Sequence, residues 1–133
     1  MIDIENKIFQ SIINKVSASF PFIRTYNDSL PAKPQFPCIV VEEADNYAYE
    51  RTQDSGSLEN HAIVMYEVNI YSNKTTGKKD ECKQIQAIVD SEFSRLGFTR
   101  TSTVPMFLNA TTIYRIVSRY TACVSKTNEI CRR

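Results

Sequence analysis

At 133 residues, the chain has the length of one domain built on one core. Hydrophobic residues make up 42% and charged residues 23%, with a formal net charge of +1. That balance excludes a disordered chain and gives no whole-chain signal for nucleic acid or membrane as partner.

The first predicted element is an amphipathic helix from Asp3 to about Ser19. Ile4, Ile8, Ile12 and Val16 recur every four residues, and Phe9 and Ile13 widen the stripe. Asp3 is placed to cap the first turn, and Pro21 ends the helix. The start, MIDIENKIFQ, mixes acids with apolar residues where a signal peptide has a basic stretch and an apolar block. No apolar run approaches the roughly 20 residues that span a bilayer. The expected place of synthesis and residence is therefore the cytoplasm.

A short strand is predicted over 22–26. The stretch 27–37 carries three prolines and reads as an extended loop. It leads into CIVVEE, 38–43, a strand. The polar stretch ADNYAYERTQDSGSLEN, 44–60, reads as a long loop or arm. AIVMYEVNIYS, 62–72, is the clearest strand. Val64, Tyr66, Val68 and Ile70 alternate onto one face, and Ile63, Met65, Glu67, Asn69 and Tyr71 onto the other.

A second helix is predicted over 78–96, with Cys82, Ile85, Ile88, Val89, Phe93 and Leu96 inward and Gly97 as its left-handed cap. Residues 99–103 read as a strand, Pro105 as a turn, and 112–124 as a long strand rich in β-branched and aromatic residues. The expected fold is α+β in two layers. A mostly antiparallel sheet of about four to five strands has sequential strands paired as hairpins, and two helices pack on one face. Residues 1–133 form a single domain, with an ordered core over about 2–125, the arm 44–60 and a polar tail 126–133.

Chemistry-bearing motifs are scarce. GxGxxG, GxxxxGK[ST], HExxH and GxSxG are all missing. Cys38, Cys82, Cys123 and Cys131 form no CxxC pair. His61 is the only imidazole, so a Cys/His zinc site would need distant residues to converge. Buried thiols are expected, with Cys131 the most exposed, and His61 is expected in solvent at the mouth of the long loop. Glu42 and Glu43 are adjacent on a strand and point to opposite faces, a poor acid/base pair. GKKDECK, 77–83, reads as a solvated helix start that lacks the glycines to cradle a phosphate. No catalytic, cofactor-binding or metal-binding residue is predicted, and the chain is not expected to be an enzyme.

Arg95, Arg100, Arg115 and Arg119 gather in the C-terminal half beside Tyr114 and Tyr120, a weak nucleic-acid patch in a nearly neutral chain. On the last strand Arg115 and Arg119 share a face with Ile113, Val117, Thr121 and Cys123. Arginine seldom enters a core unpaired. Two readings stand side by side: this face is solvated or pressed against another protein, or its arginines pair across strands with Glu67 or Glu43 of the same subunit.

Taken in order, the helix, PAKPQFPCIVVEE, DSGSLENHA, YEVNIYSNKTTGKKDECKQI, the LGF after the second helix and the final TIYRIVSRY resemble one family. It comprises the small tail-terminator and tail-completion (tail-to-head joining) proteins of long-tailed bacteriophages, prophages and phage-like particles. The resemblance covers about residues 2 to 125. The order of elements is more specific than any one motif, and both kinds of protein use this fold. It implies a virion structural protein of the tail or neck. Such a protein forms a homo-oligomeric ring, commonly a hexamer, that caps the head-proximal end of the tail tube, ends its growth and presents a surface to the neck or head. Implied partners are copies of itself, the tube protein, neck or head connector proteins and, in a contractile tail, the sheath. Membrane is not among them, and DNA only passes through the lumen. The arm is then expected to reach a neighbouring subunit or the tube below, with Tyr47, Tyr49, Arg51, Asp54 and Glu59 at the contact, and Arg115 and Arg119 are expected on a sheet face at a subunit contact or near the lumen. The alternatives are another neck or head-completion connector, a small thiol-dependent enzyme using Cys82 or Cys123 with His61, and a nucleic-acid-binding module.

Overall fold

Ile8, Ile12 and Val16 are fully buried, which orients the first helix with its four-residue stripe against a sheet. The structure, a computed structural model, describes residues 3–27, 35–48, 61–74, 76–107, 113–127 and 129–130. Its elements are α1 (Glu5–Ser19), β1 (Arg24–Tyr26), β2 (Cys38–Ala48), β3 (His61–Ser72), α2 (Lys78–Leu96), β4 (Thr99–Phe107) and β5 (Tyr114–Ser125). Asp3 accepts the Glu5 amide through Oδ1 at 3.0 Å, so an acid serves the start of α1 as expected.

The strands form one five-stranded sheet in the order β1-β2-β3-β5-β4. The fold is α+β, with every pairing antiparallel except β1 with β2. Hairpin logic holds for β2–β3 and β4–β5 and fails twice. The proline-rich connection is long enough to carry the chain back to the same end of the sheet, so β1 and β2 run parallel. β5, not β4, lies beside β3. Those two strands match in length and pair from His61–Ser125 to Ser72–Tyr114, while the threonine-rich β4 takes the edge.

Two further boundaries differ from the sequence reading. β2 continues to Ala48 through an irregularity between Glu43 and Asp45, so 44–48 is strand rather than loop. Pro105 lies within β4 rather than at a turn, as an edge strand permits. The tail is also less detached than its polarity suggests: Ile130 bridges to Val124 and packs against the core.

The core lies between the helices and one sheet face, where Ile39, Val41, Val64, Tyr66, Val68, Ile70, Ile116, Tyr120 and Val124 meet both helices. Gly97, at φ 103°, closes α2: its N–H donates to Ser94 O and the Phe98 N–H to Phe93 O. That turn drops Phe98 edge-on against Phe93, whose other neighbour, Tyr120, is stacked on it with centroids 4.2 Å apart. Between the helices, Ser11 Oγ donates to Glu92 Oε2 at 2.6 Å and Arg95 grips both oxygens of the same carboxylate.

Candidate interaction surface

Strand alternation gives the sheet a second face, opposite the helices. Register lays its side chains out in rungs across β2, β3, β5 and β4: Cys38, Tyr71 and Arg115; Val40, Asn69, Val117 and Val104; Glu42, Glu67, Arg119 and Ser102. Beyond the irregularity in β2 come Asp45, Met65 and Thr121, then Tyr47, Ile63 and Cys123.

One end of this face is closed. Cys38, Val40 and Tyr71 form a small second core with Tyr26, Phe36 and Ile113. Burial there pushes the Cys38 thiol up to about 12 and raises the Tyr71 phenol, the latter effect opposed by the nearby Arg115 charge. The rest of the face is open. Ile63, Met65 and Val117 are half-buried, while Tyr47 at 53% and Val104 at 50% stand among the most exposed large apolar side chains described.

Both strand arginines have partners within the subunit. Arg119 donates through Nε and Nη2 to Glu67 Oε1, at 3.2 and 3.1 Å. Arg115 donates through Nε and Nη2 to Asn69 Oδ1, at 2.9 and 2.6 Å, and its guanidinium stands 5.5 Å from the centroid of the Tyr71 ring. The cross-strand reading is therefore right for Glu67 and wrong for Glu43. Glu43 projects to the helix face, where its carboxylate accepts the Tyr66 hydroxyl and the Asn46 amide. On the open face, Glu42 and Glu67 stand directly opposite with Arg119 beside Glu67, so two carboxylates share that rung with one guanidinium.

Of the predicted contact residues, the structure brings Tyr47, Arg115 and Arg119 onto one face. Tyr49, Arg51, Asp54 and Glu59 lie outside the described residues. Sequence reading placed Tyr47 on an arm. The missed signal is that Tyr47 and Ala48 continue the strand after Asp45 and Asn46 interrupt its apolar run.

The thiol arrangement separates into its parts. His61 is the first residue of β3, not a loop residue, and its buried Nδ1 has no hydrogen-bond partner among the described residues. The Cys82 thiol donates to Ile70 O and Tyr114 O, and burial pushes it up to about 12. Ile70 is nine residues along β3 from His61, roughly 30 Å, so Cys82 and His61 do not meet. Cys123 sits opposite Ile63 on the same face as His61, but no hydrogen bond joins it to His61 Nδ1. Among the described residues no group of three His, Cys, Asp or Glu side chains converges to hold a metal, and no helix is long and apolar enough to cross a membrane.

Compared with protein-family models and with curated proteins, the chain matches none.

Proposed function

We propose that the chain is a virion structural protein, a phage tail terminator that assembles into a ring on the head-proximal end of the tail tube. The observation that carries this reading is the open half of the sheet face. Two apolar groups, Tyr47, Ile63 and Met65 on one side and Val117 and Val104 on the other, flank the charged rung of Glu42, Glu67 and Arg119, a mixture of apolar, tyrosine and arginine side chains of the kind protein contacts use. Both helices pack on the other face, so neither covers it. The family resemblance over residues 2 to 125 supplies the rest: a helix, a sheet and a second helix in the same order. A contact between two different patches closes into a ring when its rotation divides the circle.

Light scattering over a concentration series, with and without tube protein, tests the proposal. The expected result is a closed species near six copies of the 15.2 kDa chain, alone or on tube ends. A chain that stays monomeric and never associates with tube protein would sink it.

A further inference from the structure

The start of α2 holds a cleft of about 510 Å3, lined by Gly77, Lys78, Lys79, Asp80 and Tyr114. Gly77 is the N-cap, in the left-handed region at φ 82°, and offers no side-chain cap. A Cβ built on it would meet nothing within 4 Å, so the space over the helix end is open. The first intrahelical bond runs from Glu81 N–H to Gly77 O, at 2.9 Å. The Lys79 and Asp80 amides precede it and have no intrahelical carbonyl to reach.

An independent feature comes from the sheet. Tyr114 opens β5, is only 7% exposed and lines the same cleft. Its backbone oxygen accepts the Cys82 thiol, which fixes it beneath α2. Its hydroxyl has no hydrogen-bond partner among the described residues, and it is not sealed from solvent. The ring is buried while the hydroxyl stays accessible, so a donor is available to a group that enters the cleft.

We propose that this cleft binds an oxyanion, a phosphate or carboxylate group, held by the Lys79 and Asp80 amides, the Lys79 ammonium and the Tyr114 hydroxyl. Unpaired amides and the positive end of the helix dipole favour a negative group at this point. Asp80 and Glu81, both in the first turn, work against it and keep the site weak. GKKDECK has too few glycines for a phosphate loop; here a single left-handed glycine opens the helix end, and the remaining donor arrives from β5.

The test is a titration of the full-length chain, 15N-labelled, with sodium phosphate and separately with sodium acetate, against sodium chloride at matched ionic strength. Saturable shifts of the Lys79 and Asp80 amides are expected. Tyr114→Phe should weaken binding about tenfold or more, the worth of one hydrogen bond to an anion. Asp80→Asn should tighten it, whereas an acid serving only the helix dipole would give a less stable helix and no gain in binding. Saturation by phosphate alone assigns a phosphate group, by acetate alone a carboxylate, and by both either oxyanion. Shifts that never saturate, or that chloride reproduces, overturn the proposal. So does a folded Tyr114→Phe chain that titrates like its parent.

Discussion

Arg119 and Glu67 stand opposite each other on β5 and β3, and the guanidinium sets two of its nitrogens on one carboxylate oxygen. The second Glu67 oxygen is left open to another donor. The arginine side chain is 52% exposed and the glutamate 19%, so the pair belongs to the surface. Exposed pairs contribute about 0–1 kcal/mol. Arg119→Ala is therefore expected to shift the urea midpoint only slightly and to abolish ring formation under the proposed function. A variant that unfolds readily would make the pair structural; one that still assembles would move the contact elsewhere.

How far the sequence reveals this architecture depends on how many constraints act on each segment. β3 and α2 are legible almost to the residue, because burial on one face writes a clear period into each. Gly97 marks the end of α2 for a backbone reason, its positive φ. β2 beyond Glu43 is not legible: the irregularity at Ala44 resets the alternation, and Asp45 and Asn46 look like loop residues. Pairing order is not written locally either. Residues within β4 favour a strand, but only competition for the place beside β3 sends it to the edge. The partners of Arg115 are hidden for a similar reason. Register sets Tyr71 opposite, yet the long side chain reaches the neighbouring Asn69.

Tyr120 is a case where one atom ties two α2 side chains to the sheet. Its hydroxyl accepts from Gln86 Nε2 at 2.8 Å and donates to Asp90 Oδ1 at 3.0 Å. Gln86 is buried, and its Oε1 already lacks a partner. Tyr120→Phe keeps the ring on Phe93 but leaves the whole Gln86 amide unsatisfied. A cost of about 1–3 kcal/mol is expected in urea unfolding. Adding Gln86→Leu should recover most of it. Unchanged stability in the single variant would show that the network contributes little.

The thiols give a prediction with a residue-level readout. Burial pushes both Cys38 and Cys82 up to about 12, and at about pH 8 roughly one in ten thousand of each is thiolate. Iodoacetamide at that pH should leave both unmodified in the folded chain and modify both in urea, as mapped by peptide mass. Rapid labelling of Cys82 in the folded chain would reopen a thiol chemistry that its surroundings argue against.

Two glutamates, Glu92 buried and Glu43 half-buried, pull the pH dependence of stability in opposite directions. Glu92 is held below the ordinary carboxylate range, first by its hydrogen bonds from Arg95, with Ser11 adding to them against the effect of burial. Its contribution is complete above the unfolded value, about 4.3, and is lost as pH falls through the lower folded value. Glu43 is raised, chiefly by burial and further by the nearby Glu5 and Asp3 charges, although hydrogen bonds from Tyr66 and Asn46 oppose this. The folded state therefore holds that proton more tightly than the unfolded chain does. Stability falls as pH rises from about 4.3 through the folded value, and the penalty is complete above it. Glu43→Gln removes the charge and keeps an acceptor for the Tyr66 hydroxyl. The urea midpoint of this variant should exceed the parent's at neutral pH, with the gain fading as acid protonates the parent. Glu92→Gln should do the reverse, with a loss at neutral pH that shrinks in acid. Parallel pH profiles for the two variants would contradict the opposite environments that the structure gives these side chains.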